Sequence, residues 1–197
     1  MHHKIISPAL LLAVVLPAAE LAAQTVFRLG TEKRVCPEYG TVSEGHILLV
    51  DRTQFHFQAP TGWQMSADNV QQRIAFSDPG LTSYLALRVQ LDATNVVAEP
   101  WTETNVTALV ALRFANAKIS TVYACYGMGT RGVAVEFEFT DSVNRRSHGR
   151  LAALNFTGGK MEITAVSCGD WPRTHVEYNA FLNSLRMEVM PPKKEEN

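Results

Sequence analysis

The chain has 197 residues, of which 46% are hydrophobic, and its 18 basic and 19 acidic side chains leave a formal net charge of −1. This is ordinary usage for a soluble globular protein. The near-neutral and interspersed charge argues against a dedicated nucleic-acid binder, which normally shows a basic excess or stripe.

Residues 1–23 have the layout of a secretory signal peptide. Lys4 gives the basic start, an apolar run follows, and Leu21-Ala22-Ala23 offers a small-residue cleavage site before Gln24. The alternative is a retained membrane anchor, but the apolar run is shorter than roughly 20 residues and contains Pro8 and Pro17. We therefore expect an exported protein, periplasmic or extracellular, that is soluble and not stably inserted in a membrane after cleavage.

The rest of the chain is expected to contain one domain. Residues 24–45 are rich in turn formers and charge, which predicts an irregular lead-in with one short strand near Val26–Leu29. A single α+β domain is expected over 46–190, followed by a flexible tail over 191–197.

Period-two alternation of apolar and polar residues predicts seven strands. Three precede the first helix, and the cleanest of these is 85–91, where leucines and a valine alternate with Ala86, Arg88 and Gln90. Four more strands follow that helix. The predicted ranges are 54–58, 73–77, 85–91, 119–126, 133–139, 150–156 and 161–168.

Two amphipathic helices interrupt the strands. The first is capped by Thr102, and Val106 and Val110 fall on its apolar face. The second is expected to start near Trp171-Pro172 and to run to Met190. Hairpin-linked strands around a helix predict an α+β fold with a mainly antiparallel sheet flanked by helices.

Two glycine patterns predict hairpin turns. Gly127-Met-Gly-Thr-Arg-Gly132 matches the dinucleotide-binding pattern G-x-G-x-x-G, but a strand pattern follows it where that site needs a helix. Gly158-Gly159 stands between two predicted strands. Nucleotide binding is therefore not expected at the first pattern.

Several segments resemble the PsbP/Mog-like family of α/β/α sandwich proteins. They are Phe55-His-Phe-Gln-Ala-Pro-Thr-Gly-Trp63, Ile74-Ala-Phe-Ser-Asp-Pro79, a later Phe-Glu-Phe strand, the Gly-Gly turn and the closing Asn183-Ser-Leu-Arg186. The resemblance covers about 46–187. It implies a central antiparallel sheet between helices and a non-enzymatic role, as in an extrinsic photosystem subunit or a small-GTPase partner. Nothing in the sequence indicates photosynthesis, so an exported, non-photosynthetic member is expected.

No catalytic, metal-binding or cofactor-binding residue is assigned, and no cofactor is expected. Cys36, Cys125 and Cys168 form no metal-ligand spacing, so either two of them form a disulfide or all three stay reduced. The histidines after the leader stand in no H-E-x-x-H or G-x-S-x-G motif. They are His46, His56, His148 and His175.

Four residues are candidate contacts for a ligand or partner. Trp63 either packs at a strand end or recognises a ligand from an exposed position. Arg145, Arg146 and Arg150, in and beside one turn, either dock an anionic partner or form a plain charged loop. Glu136 and Glu138 share a strand face that is expected to be solvated.

The sequence therefore predicts an exported, non-catalytic binding or accessory module with a protein partner. A small-molecule or lipid carrier that uses a pocket between sheet and helix is the first alternative. A hydrolase with an unfamiliar site is the second, and it requires histidines and carboxylates that converge in a cleft.

Overall fold

The computed structural model describes residues 26–35, 42–92 and 99–191. Within these ranges the chain forms two antiparallel sheets and two helices, α1 (Glu103–Arg113) and α2 (Trp171–Ser184). The predicted α+β class is confirmed. The smaller sheet contains, in spatial order, β1 (Phe27–Val35), β2 (Val42–Val50), β3 (Thr53–Phe57) and β11 (Arg186–Val189). The larger sheet contains, in spatial order, β4 (Gln64–Asp68), β5 (Arg73–Ser77), β6 (Ser83–Leu91), β10 (Gly159–Ser167), β9 (Arg146–Phe156), β8 (Thr130–Thr140) and β7 (Lys118–Gly127).

The larger sheet has a helix on each face. Its inner face is covered by α2 and the smaller sheet, and the rings of Phe57, Phe76 and Phe181 meet there with centroids 5.3–5.9 Å apart. Its outer face carries α1, whose Val106 and Val110 are fully buried. Burial of each such side chain stabilises the fold by about 1.5–3 kcal/mol.

The start of α1 is fixed by a reciprocal cap. The hydroxyl of Thr102 accepts a hydrogen bond from the Asn105 amide, and the Asn105 side chain accepts one from the Thr102 amide. These bonds satisfy two backbone donors that a helix end otherwise leaves unpaired. The predicted cap at Thr102 is confirmed. From this start the helix runs to Arg113, so that Arg113 and Phe114 lie above the outer face.

Both predicted glycine hairpins are confirmed. Met128 and Gly129 have positive φ angles of 52° and 72° in the turn between β7 and β8. Gly158, with a φ of 90°, turns β9 into β10. The Gly127–Gly132 pattern is thus a strand-to-strand turn, as expected.

The chain forms more strands than the sequence predicts. Residues 24–45, expected to be irregular apart from one short strand near Val26–Leu29, contain β1, which continues to Val35, and the start of β2, which pairs with it. The longer extent was not predicted because β1 is an edge strand whose side chains over residues 27–33 are mostly exposed, so its sequence carries little apolar alternation. The short, mostly exposed β4 was missed for the same reason.

The second helix ends earlier than predicted. It stops at Ser184 rather than Met190, and Arg186–Val189 forms β11, which pairs with β3 in the smaller sheet. Met187 lies opposite the buried Phe55 in this pairing. This segment forms a strand because it pairs with β3, which is distant in the sequence, and the local sequence gives no sign of that pairing.

Some predictions lie outside the described residues. These are the signal peptide over 1–23, Cys36, and the tail beyond Pro191. Cys125 and Cys168 are both free thiols, so the pairing of these two with each other, one of the options left open, is not formed. Within the described part of the chain, neither helix is long and apolar enough to cross a membrane.

Candidate functional site

A groove runs along the outer face of the larger sheet beside α1. The helix packs over β7 and β8, while the outward side chains of β6 and β10 next to it remain open to the groove. We call this depression the outer groove. Its residues include Tyr84, Ala86, Arg88, Arg113, Phe114 and Thr164.

The outer groove consists of two cavities that share three wall residues. Their volumes are about 700 and 430 Å³, and both are lined by Tyr84, Arg113 and Phe114. Tyr84 and Arg88 lie four residues apart on one face of β6, which corresponds to about 13 Å along a strand. The groove is therefore long enough for several residues of extended polypeptide.

One end of the outer groove is formed by the turn between β5 and β6. The Asp78 carboxylate accepts hydrogen bonds from the amides of Thr82 and Ser83, at 2.8 and 2.7 Å, and from the Thr82 hydroxyl at 3.1 Å. Burial raises the pKa of Asp78, but these hydrogen bonds outweigh it and leave the pKa below its ordinary value of 3.8. An ionised Asp78 thus holds this wall in place.

A second turn, between β8 and β9, closes the same end. Asp141 accepts hydrogen bonds from the amides of Val143 and Arg145 at 2.9 and 2.8 Å, and from the Arg145 guanidinium at 2.8 Å. The hydrogen bond from the Arg145 amide is the main cause that lowers the pKa of Asp141. Asn144 takes the left-handed conformation that this turn needs, with φ 61°. We call this closed end the turn end.

The turn end has an apolar patch among polar wall residues. Phe114 and Phe139 are half-buried on its wall, with ring centroids 4.9 Å apart. Leu81 and Val143, on the two turns, are 73% and 63% exposed. Exposed large apolar residues beside a concave surface are typical of an interaction site.

Arginines line the opposite end, which we call the arginine end. Arg73 on β5 and Arg88 on β6 are directly opposite each other and line the same cavity. Arg113, from α1, forms an ion pair with Glu162 of β10. Burial raises the pKa of Tyr84, between the two ends, so its hydroxyl stays a hydrogen-bond donor at neutral pH.

The structure separates the four predicted contact residues. Arg145 lines the outer groove, although its side chain is bonded to Asp141. Arg146 and Arg150 lie on the inner face. Side chains alternate along a strand, and the odd-numbered residues of β9, such as Leu151 and Ala153, point toward α1, so the even-numbered ones point away from it. Trp63 is only 9% exposed and packs in the inner core, which agrees with its structural interpretation rather than a ligand contact. The interpretation of Arg145, Arg146 and Arg150 as a single docking set is wrong.

Arg150 is a buried cation beneath α2. Its Cζ lies 4.6 Å from the ring centroid of Tyr178 and 5.0 Å from that of Tyr123. Its Nη1 donates to Asn179 Oδ1 at 2.9 Å and contacts His175 Nε2. Arg150 therefore attaches α2 to β9, and neither a charged loop nor a surface docking site describes it.

The face expected to be solvated is partly exposed and is occupied by ion pairs. Glu136 accepts a hydrogen bond from the Tyr123 hydroxyl at 2.9 Å and lies 3.9 Å from Arg150 Nε. Glu138 binds Arg146 at 2.6 Å. The predicted solvated face is found only in part: both side chains are about one-third exposed, but Glu136 lies beside the buried Arg150, while Glu138 binds the exposed Arg146.

The described histidines do not converge in the outer groove. His46 stacks on Phe57, His56 contacts Glu32, and His148 and His175 each stack on Trp171. Among the described residues, no group of three possible metal ligands comes together. Burial raises the pKa of Cys125, which keeps its thiol protonated and a poor nucleophile.

The sequence did not identify Tyr84, Arg88 and Arg113 as site residues. Arg88 was recognisable as the charged outward residue of the cleanest strand. Its proximity to Arg113 depends on how α1 crosses the sheet, and no local pattern reports that.

The likeness of this chain to known proteins is found among solved structures. No protein-family profile and no curated protein matches the sequence. A similar solved structure is cyanobacterial PsbP (CyanoP) from Synechocystis sp., at 12% identity and a TM-score of 0.46, covering 89% of this chain and 98% of that one. Another is LpqN, involved in cell envelope biogenesis of Mycobacterium tuberculosis, at 8% identity and a TM-score of 0.41, covering 83% and 92%. A protein from Bacteroides thetaiotaomicron has 11% identity and a TM-score of 0.41 over 71% of this chain, which spans 46% of that protein's length. The expected resemblance to PsbP is confirmed, and it concerns the fold.

Proposed function

We propose that this protein is an exported, non-catalytic binding module that binds an extended segment of a partner protein in the outer groove. The observation that carries this proposal is the continuity of the two cavities along β6 through Tyr84, Arg113 and Phe114. A groove of this length, with an aromatic patch among polar side chains at one end and arginines at the other, suits a polypeptide segment.

The charged groups at the turn end support a binding role over a catalytic one. Asp78 and Asp141 are both hydrogen-bonded to the amides of their own turns. A carboxylate used in this way is held ionised and is already occupied as an acceptor, so it shapes the groove wall instead of moving a proton. The signal-like leader supports the exported compartment.

Site-specific photocrosslinking tests the proposal. A benzophenone amino acid replaces Tyr84 in the groove, and in a matched variant it replaces Tyr126, which is 66% exposed on β7 and does not line the groove. In cells that naturally make the protein, we expect one discrete crosslinked species, identified by mass spectrometry, from position 84 and not from position 126. No crosslink at 84, or the same set at both positions, would contradict the proposal.

A small-molecule carrier is the second candidate, because the turn-end cavity of about 700 Å³ falls in the range of small-ligand pockets. Native mass spectrometry of the protein purified from its own cells separates the two functions. A carrier is expected to retain one bound small molecule that a Tyr84→Trp variant loses. A peptide-binding module is expected to be recovered without a bound small molecule.

A further inference from the structure

We propose that the arginine end of the outer groove binds the carboxylate of an acidic side chain in the partner segment. The inference rests on the proposed function and adds the chemistry of the segment. It starts from two like charges: Arg73 and Arg88 are cross-strand neighbours in direct register on one face of the sheet. Like charges placed directly opposite each other destabilise a sheet pair, and an anion between them removes that cost.

The carboxylates nearby leave this end with an excess of positive charge. Glu162 is the neighbour of Arg88 on β10, but its ion pair is with Arg113. Asp68 reaches Arg73 only at 3.9 Å, with both side chains well exposed. Arg88 forms no hydrogen bond or ion pair with any residue in the described ranges. Three guanidinium groups therefore meet two carboxylates, and Arg88 is the group left to bind an anion.

The cavity beside these arginines has room for the ligand group. It measures about 430 Å³ and is lined by all three guanidinium-bearing residues, Arg73, Arg88 and Arg113. A guanidinium presents a planar fork of donors that matches a carboxylate through two parallel hydrogen bonds. An acidic side chain entering from an extended segment fits this arrangement.

The spacing of the groove specifies the sequence of the segment. The aromatic patch of the turn end begins at Tyr84 and Phe114, and Arg88 lies about 13 Å from Tyr84 along the strand. Residues i and i+4 of an extended segment point to the same side and span the same distance. The partner segment is therefore expected to carry an apolar residue and an acidic residue four positions apart.

Selection from a phage-displayed library of random 12-residue peptides tests this inference. The purified protein is the bait, and Tyr84→Asp is the bait variant, which removes the tyrosine ring shared by both cavities and places a negative charge on the groove wall. We expect wild type to enrich peptides with Asp or Glu four positions from an apolar residue, and we expect the Tyr84→Asp variant to lose them. Peptides that enrich without an acidic residue overturn the inference and leave the proposed function intact. Failure to enrich any peptide that depends on Tyr84 overturns the proposed function itself.

Charge variants give a second readout with the selected acidic peptide. Arg88→Gln is expected to weaken its binding by about tenfold or more, as the loss of hydrogen bonds to a charged group does. Arg131→Gln, which removes an exposed arginine outside the groove, is the matched control and is expected to leave the dissociation constant within about twofold. Arg88→Glu is expected to shift the selection toward Lys or Arg at the same position. Equal effects of the Arg88 and Arg131 variants would overturn the inference.

Discussion

Gly149 of β9 lies directly opposite Phe137 of β8, and the Phe137 ring covers it so closely that a Cβ on Gly149 would stand 2.4 Å from ring carbons. Real Cβ atoms do not come this near, so the ring would have to move. Phe137 packs against Phe114 with centroids 4.6 Å apart. The position of the groove wall at Phe114 thus depends on a glycine in the sheet.

Gly149→Ala is expected to lower the free energy of unfolding by about 1–3 kcal/mol, because an added methyl in a packed core forces side chains off their rotamers. Urea denaturation measures it. Gly30→Ala is the matched control, since its Cβ would find its nearest neighbour only at 4.0 Å. Equal stabilities of the two variants would contradict the close packing.

Arg150→Ala is expected to lower the free energy of unfolding by about 3 kcal/mol, since Arg150 is 7% exposed and lies against two tyrosine rings. The control is Arg146→Ala, whose side chain is 74% exposed in its ion pair with Glu138. This variant is expected to cost less than about 1 kcal/mol. Chemical denaturation followed by tyrosine and tryptophan fluorescence compares them, and similar losses would show that Arg150 does not hold α2.

The stability contribution of Asp78 is expected to depend on pH. Its folded pKa lies below 3.8, so the carboxylate stabilises the fold above that pH, and the contribution is lost as the pH falls through the folded value. Asp78→Asn removes the charge while keeping the shape. The stability difference between wild type and this variant is therefore expected to be largest at pH 7 and to shrink at pH 3 and below. A difference that stays constant over this range in urea titrations would contradict the assignment.

The two described thiols are expected to differ in reactivity. Cys125 is 5% exposed and burial raises its pKa, whereas Cys168 is half-buried and lines the outer groove. In a Cys36→Ser background at pH 8, iodoacetamide should therefore modify Cys168 in the folded protein and Cys125 only after denaturation. Mass spectrometry after proteolysis measures both sites. Equal rates in the folded state would show that the inner core opens readily.

Strands with one wet and one buried face were readable from the sequence. Residues 85–91 alternate strictly, and β6 buries Leu85, Leu87 and Val89 as that pattern predicts. The first strand was predicted too short, near Val26–Leu29, and β2, β4 and β11 were missed. Each of these strands pairs with a partner strand, and that pairing, which no local alternation reports, determines it. The strands predicted over 150–156 and 161–168 are confirmed as β9 and β10, but their residues are buried almost throughout, so the sequence did not show that both faces are covered.

The candidate site was less predictable than the fold, for a physical reason. Arg145, Arg146 and Arg150 are close in sequence, yet strand parity and a turn send them to different surfaces. Arg73, Arg88 and Arg113 are far apart in sequence, and the sheet register with the crossing of α1 brings them together. Closeness in the sequence therefore predicts neither the separation of the first three arginines nor the meeting of the second three.

The most direct test of the outer groove as the binding surface is chemical-shift mapping of the 15N-labelled protein with an acidic peptide from the selection. The predicted result is that amide shifts concentrate on β5, β6, β10 and the end of α1, with the Nε–Hε signal of Arg88 among the largest. Shifts centred on the smaller sheet or on α2, with Tyr84 and Arg88 unchanged, would contradict the account.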